Sequence, residues 1–532
     1  MRANKSWWQR GIIYQVYPRS FLDSDADGIG DLRGIIGRLD YLAALGVDAV
    51  WLSPIYPSPM RDFGYDVSDY TNVDPSFGTL EEFDRLLDSA HRRGLKLILD
   101  YVPNHTSDRH PWFIESRASR GSAQRDWYLW RDPAPGGGPP NNWLSHFGGS
   151  AWEFDERSGQ YYYHAFLAAQ PDLNWRNPQV RAAMHAVLRF WLDRGVDGFR
   201  VDVLWLLIKD EQFRDNPPNR ACRPGDPAHA GQLMLYTADR PEVQEVVAGL
   251  RRVMDEYDER VLIGEIYLPI ERLVAYYGAD LKGANLPFNF QLLEAPWNAR
   301  GIASLIDEYE AALPEGGWPN WVLGNHDRPR IASRIGVQQA RVAAMLLLTL
   351  RGTPTMYYGD EIGMLNVSIP SDRIQDPYER NVPGFGHGRD PSRTPMQWDG
   401  SASAGFTRGT PWLPVDDDYP VVNVEAQNAD PTSILTLYRR LISLRRATPA
   451  LVYGAYNPLA MTGDLLAFVR EAAGVRLLVT LNLGAEPHAV SFANVIGNRG
   501  RIVLSTHLDR EDEASHGEVN LRANEGVIIT LA

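Results

Sequence analysis

Only one of the 532 residues is a cysteine, Cys222, so no disulfide can close within the chain, and a reducing compartment fits that scarcity. Long hydrophobic runs are missing as well. The longest, "VAAMLLLTL" over 342–350, is too short to cross a bilayer, which takes roughly 20 apolar residues. The opening "MRANKSWWQRGIIYQVYPRS" has neither a continuous apolar core nor a small-residue cleavage site, and so does not read as a secretory signal. Positive charge is not in excess either. The formal net charge is −14, which argues against nucleic acid or an anionic membrane as a partner, since both reward a basic face. These absences predict a soluble cytoplasmic protein, a monomer or homodimer.

What the chain does have is length and apolar texture. Several short apolar runs read as buried parallel strands: "GIIYQVY" (11–17), "DAVWLSP" (48–54), "LKLILDYV" (95–102), "DGFRVDV" (197–203), "RVLIGEI" (260–266), "NWVLGNHD" (320–327) and "TPTMYYGDE" (353–361), with "LPFNFQ" (286–291) a weaker eighth. None alternates with period two, as expected when both faces of a sheet are covered. Amphipathic segments lie between many of them. One starts at Thr79, whose spacing to Glu82 is that of a capping box; Phe83, Leu86, Leu87 and Ala90 then share a face and Gly94 follows the end. About eight strands alternating with helices predict an α/β fold, a (β/α)8 TIM barrel.

Two regions break the alternation. Residues 104–170, with the flexible-looking "DPAPGGGPP" (132–140), are far too long for an ordinary loop and predict a small domain inserted after the third strand. Beyond the helical "TSILTLYRRLISLRRATP" (432–449), residues 455–532 carry "DLLAFVR", "RLLVTLNL" and "GVIITLA", which predict an antiparallel β domain. The barrel is then made of residues 1–103 and 171–454.

Residues at the C-terminal ends of barrel strands face the active-site cup. Three predicted strands end in acids: Asp202, Glu265 and Asp327. Arg200 lies on the same side of its strand as Asp202, His326 precedes Asp327, and "DYVPNH" contributes Asp100 and His105. One such acid would ordinarily cap a helix or pair with an arginine. Three converging on one cup suit an oxocarbenium-like transition state, with one carboxylate attacking and a protonated one donating.

With its motifs in order, the chain resembles the α-amylase superfamily of glycoside hydrolases (family 13), in particular the α-glucosidase and oligo-1,6-glucosidase branch. The motifs are "DYVPNH" (100–105), "GFRVD" (198–202), "GEI" (264–266), "NHD" (325–327), "DFGYDVSDY" (62–70), "NNWLSHFGGSAW" (141–152), "QPDLNW" (170–175) and "GRDPSRTPMQWD" (388–399). The resemblance implies an exo-acting retaining enzyme on short α-glucosides such as maltose, isomaltose or sucrose. Asp202 would be the nucleophile, Glu265 the general acid/base, and Asp327 a ligand of the distorted glucosyl ring. Arg200 would keep Asp202 ionised, while the surroundings of Glu265 would raise its pKa. Asp62 and Arg393 would grip the non-reducing end, Tyr65 would stack, His105 and His326 would donate to hydroxyls, and Phe147 and Phe166 would wall the pocket. Val203, after the nucleophile, goes in this branch with acceptance of α-1,6 linkages, although valine is also what any strand prefers.

A transglucosylase or isomerase such as trehalose synthase is the alternative on the same scaffold, since only the acceptor differs. The segment "DRIQDPYERNVPGFGHGRD" (372–390) should rim the entrance and lacks the "RLDRD" pattern of sucrose isomerases. A non-catalytic binding relative would be expected to lose the three acids, which this chain keeps.

One further stretch is "DSDADGIGD" (23–31). Its oxygens fall at positions 1, 3, 5, 7 and 9 of an EF-hand-like loop, with Gly28 at 6. Position 12 is Gly34 rather than a bidentate Glu, and a strand precedes it, so a calcium sensor is excluded. A solvated acidic turn is one reading. The family resemblance implies the other, a structural Ca2+ or Mg2+ held by Asp23, Asp25, Asp27, the Ile29 carbonyl and Asp31.

Overall fold

A computed structural model describes residues 5–460, 462–492 and 499–531. Eight parallel strands build the barrel: β1 (Ile13–Val16), β2 (Ala49–Leu52), β3 (Lys96–Tyr101), β4 (Gly198–Val201), β5 (Val261–Gly264), β6 (Leu286–Pro287), β7 (Asn320–Val322) and β8 (Thr353–Tyr357). The ladder runs β7-β8-β1-β2-β3-β4-β5-β6. β6 is only two residues long, and Pro287 has no N–H to give to a ladder. The seam between β6 and β7 is closed instead by the Asn320 side chain, which donates to the Pro287 carbonyl and accepts from the Asn289 N–H.

Alternation along the strands decides what enters the lumen. Ile13, Trp51, Ile98, Val261 and Ile263 form the inner cluster, while their neighbours Tyr14, Val50, Leu97, Leu99 and Leu262 pack outward under the helices. On β4 the same rule sends Phe199 and Val201 outward and leaves Gly198, Arg200 and Asp202 on the lumen side. Gly198 has to be small: a Cβ there would lie 2.4 Å from Val261 Cγ1. The helix Leu80–Arg92 carries the capping box expected at Thr79 and Glu82 and buries Phe83, Leu86, Leu87 and Ala90.

Between β3 and β4 the chain adds the helix Pro111–Ala118 and a three-stranded antiparallel sheet of Trp130–Arg131, Trp152–Asp155 and Gln160–Tyr163. The root of this excursion is pinned by a buried cation. Lys209 Nζ donates to Asn104 Oδ1 at 2.7 Å and ion-pairs with Asp172. C-terminal to the helix Ile434–Ala447, a six-stranded antiparallel sheet and a two-stranded one form the β region expected there. No described helix is long and apolar enough to cross a membrane.

The lysine clamp yields a test. Lys209→Met should lower stability by about 3–5 kcal/mol by leaving Asp172 buried and unpaired, read as a fall in urea midpoint. Adding Asp172→Asn should recover part of the loss.

Candidate active site

Asp202 and Glu265 are the residues that follow β4 and β5. Their N–H groups still donate across the barrel, Asp202 to the Tyr101 carbonyl at 2.8 Å and Glu265 to that of Val201 at 2.9 Å. Both carboxyls therefore stand on rigid backbone at the rim. Arg200, one lumen position below Asp202, is fully buried over the Trp51 ring at 5.1 Å. Its guanidinium contacts three carboxylates: Asp100 Oδ1 at 2.8 Å, Asp202 Oδ1 at 2.9 Å and Glu265 Oε2 at 2.6 Å.

The charge of this cluster departs from the expectation that Arg200 keeps Asp202 ionised: Arg200 does lower its pKa, but other causes outweigh it. Burial, then repulsion from Glu265, push the Asp202 carboxyl well above its ordinary value despite Arg200. One guanidinium does not offset burial together with repulsion from Glu265 and Asp100. Burial likewise raises Glu265, as expected, and takes Asp100 to about 6. Both carboxyls are thus pushed toward the protonated form, and repulsion between the two favours one proton kept between them. Asp327 goes the other way. Burial alone would raise it, but the guanidiniums of Arg393 and Arg389, charged where the buried His326 ring is not, hold its carboxyl far below the usual range. The site thus sets one lowered carboxyl, Asp327, beside two raised ones, Asp202 and Glu265.

These acids open onto a cavity of about 800 Å3, lined by Asp62, Tyr65, His105, Phe147, Phe166, Asp202, Val203, Glu265 and Asp327. Three predicted contacts stand behind this wall instead. His326 is buried beneath Tyr65, the rings stacked 5.4 Å apart at 3°. Gln15 Nε2 lies 2.8 Å from His326 Nδ1 and can only donate, so the imidazole proton sits on Nε2. Nε2 then donates to Tyr65 Oη at 2.6 Å, and that hydroxyl donates to Asp100 Oδ2 at 3.1 Å. Burial keeps the His326 ring neutral by pushing its pKa well below the usual value. His326 therefore orients Tyr65 rather than facing the cavity. Arg200 is held below the acids, and Arg393, also buried, donates to Asp327 Oδ1 at 2.8 Å and to the His326 carbonyl at 2.7 Å.

The partner of Asp62 is thus Arg389, not Arg393. Arg389 Nη2 reaches Asp62 Oδ1 at 2.7 Å and Asp376 Oδ1 at 2.6 Å, and its guanidinium lies 4.9 Å over the Phe147 ring. Both arginines belong to "GRDPSRTPMQWD", and the motif alone does not say which one turns outward. The segment 372–390 does rim the entrance, contributing Tyr378, Gly386, His387, Gly388 and Arg389 to the lining. Val203 is not a strand residue: its backbone is left-handed at φ 37° and ψ 47°, so strand preference does not account for a valine there.

In the first loop the carboxylates of Asp23, Asp25 and Asp27 come within 4.8 Å of one another, and this hard oxygen set suits Ca2+ or Mg2+. Gly28, at φ 93°, makes the tight turn, and a Cβ there would lie 2.0 Å from the Thr410 carbonyl oxygen. Asp31 falls outside the group. Its oxygens accept from Ser24 N–H (2.8 Å), Ser24 Oγ (2.9 Å) and Gly34 N–H (2.7 Å), and it caps the helix Leu32–Leu45.

The pattern of the family described as alpha amylase, catalytic domain, matches residues 15–454. A probable alpha-glucosidase of Rhizobium meliloti (strain 1021) is 44% identical, with 91% of each chain covered. An oligo-1,6-glucosidase of Parageobacillus thermoglucosidasius is 40% identical, with 97% of each covered. Among solved structures, the trehalulose synthase MutB from Pseudomonas mesoacidophila MX-45 superposes with a TM-score of 0.92 at 36% identity over the whole of both chains.

The raised carboxyl makes a signed prediction. Near pH 4 and below, Asp202 is protonated both folded and unfolded; above that its ionisation opposes folding increasingly as pH rises. Asp202→Asn should therefore melt a few degrees above the wild type at pH 8, with the gap closing near pH 4 in thermal scans.

Proposed function

The chain belongs to the alpha-amylase family of glycoside hydrolases, and from that premise we propose that it is a retaining, exo-acting α-glucosidase of short α-glucosides. The observation that carries the reading is geometric: Asp202, Glu265 and Asp327 line one cavity, with Arg200 between the first two, and burial raises the carboxyls of Asp202 and Glu265, which favours a proton kept between them. In the proposed reaction that proton resides on Glu265 when substrate is bound. Glu265 gives it to the glycosidic oxygen as Asp202 attacks the anomeric carbon, and the glucosyl group is left as an ester of Asp202. Glu265, now ionised, takes a proton from water, which displaces Asp202 and releases α-glucose. Asp327 lies opposite and stabilises positive charge on the ring.

The Asp62–Arg389 pair supplies a polar wall that suits the hydroxyls of a terminal glucose. It supports exo action, and Arg389→Ala should raise KM for maltose at least tenfold while lowering kcat less. Val203 on the cavity wall supports acceptance of α-1,6 linkages, in line with the oligo-1,6-glucosidase relative. Side-by-side initial rates of glucose release from maltose and isomaltose test both points. Cleavage of both supports the reading, maltose alone removes the linkage part, and inactivity on both and on sucrose removes the whole.

Isomerisation is the second reading, favoured by the likeness to a trehalulose synthase. Against it stands the entrance segment 372–390, which lacks "RLDRD". Free glucose in excess of new disaccharide from sucrose would exclude it.

Asp23, Asp25 and Asp27 would hold a Ca2+ or Mg2+ ion, whose contribution is to neutralise three crowded carboxylates and pin the first loop. Chelation should lower Tm yet leave kcat unchanged well below the melting range, and Asp25→Asn/Asp27→Asn should abolish the Tm response.

A further inference from the structure

Val203 is the only β-branched residue among the described residues with a left-handed backbone. A valine there crowds its own backbone, and such conformations persist where the surroundings demand them. The turn carries the chain from β4 into the short helix Leu204–Leu206 and is closed by Leu206 N–H donating to the Val203 carbonyl at 2.9 Å. Its consequence lies in the peptide that joins Asp202 to Val203. The Val203 N–H points back across the rim and donates to Glu265 Oε2 at 2.9 Å. The same oxygen lies 2.6 Å from Arg200 Nη2. Oε1 accepts from no N–H among the described residues, and the Asp202 carboxyl lies within hydrogen-bond reach of the Glu265 carboxyl.

We propose that Val203 is a positioning residue for Glu265: its backbone N–H, at the turn out of β4, holds Oε2, which leaves Oε1 as the oxygen that gives and takes the proton. The inference rests on Glu265 being the acid/base. In the first half-reaction the Oε1–H bond breaks as the proton passes to the glycosidic oxygen, whose bond to the anomeric carbon breaks while the Asp202–carbon bond forms. In the second, a water proton goes to Oε1 as the water oxygen bonds to that carbon and Asp202 leaves. The peptide that carries the donor is the nucleophile's own, so movement of Asp202 and aim of Glu265 are linked through one rigid plane.

The groups facing Glu265 are Arg200 from β4, Asp202 beside it, Asp327 from the loop after β7, Tyr267 two residues on, and Asp100 through Arg200. Against that set the Val203 N–H favours the ionised carboxyl. Losing it should raise the Glu265 pKa and move the alkaline limb of kcat/KM to higher pH.

The direct test replaces Val203 by its α-hydroxy acid, an amide-to-ester exchange that removes the N–H and keeps the side chain. kcat/KM for maltose should fall at least tenfold, while α-glucosyl fluoride, whose leaving group needs little protonation, should lose less than about threefold. The alkaline limb should move up by about half a unit. Val203→Gly keeps the N–H and tolerates the turn, so whatever the lost pocket wall costs should fall equally on maltose and on α-glucosyl fluoride, with the alkaline limb unmoved. Equal losses on both substrates or an unmoved limb in the ester variant, or a glycine variant with the ester's selective loss on maltose and moved limb, would overturn the proposal. Neutron diffraction from wild-type crystals gives an independent check: deuterium on Oε1 of Glu265 supports it and deuterium on Oε2 contradicts it. Should Glu265→Gln retain full activity on maltose, the acid/base assignment itself fails, a result separable from all of these.

Discussion

One buried guanidinium holds this active site together. Arg200 rises up the barrel lumen on the same face of β4 as Gly198 and Asp202, rests on Trp51, and meets Asp100, Asp202 and Glu265 at once. One positive charge cannot neutralise three buried carboxylates, and removing any ion from water is costly unless it is paired. Burial accordingly pushes the carboxyls of Asp202 and Glu265 up, toward keeping a proton between them. In the proposed reaction that retained proton is the one delivered to the leaving group, so the electrostatic cost of packing the acids together is also what arms the site.

The rest of the architecture serves to keep that cluster in register. The Asp202 and Glu265 amides extend the barrel ladder beyond the strand ends. His326 and Gln15 fix the tautomer that lets Tyr65 donate to Asp100. Arg393 and Arg389 face Asp327 from the other side and keep it ionised. A chain of hydrogen-bonded groups thus runs beneath the cavity floor, and the residues that touch the cavity are held by residues that do not.

Much of this was legible in the sequence because the physics behind it is local. Strands covered on both faces must be apolar without alternation, and eight such runs can be read directly. The Thr79–Glu82 box announces its helix. Acids at strand ends are visible once the strands are placed. What escaped were matters of direction and sharing. Between Arg389 and Arg393 the backbone makes a short turn at Asp390–Ser392, which has no period to reveal that Arg393 is buried and Arg389 meets Asp62. His326 sits in an irregular loop, so its place behind Tyr65 could not be inferred from spacing. The spacing of Arg200 to Asp202 suggested a private ion pair, but Asp100 and Glu265 reach the same guanidinium from neighbouring strands. Val203 looked like a strand residue because the strand ends two residues earlier, at Val201.

The central claim is that Asp202 attacks directly and expels the leaving group, and that Glu265 then directs water to the face the leaving group vacated, opposite Asp202, so that configuration is kept. Proton NMR of the first turnovers on maltose, recorded before mutarotation, reads this outcome at the anomeric proton. The account requires α-glucose to appear first and β-glucose to follow only as the sugar equilibrates. Initial release of β-glucose would contradict it, because a single displacement by water would then replace the glucosyl ester on Asp202.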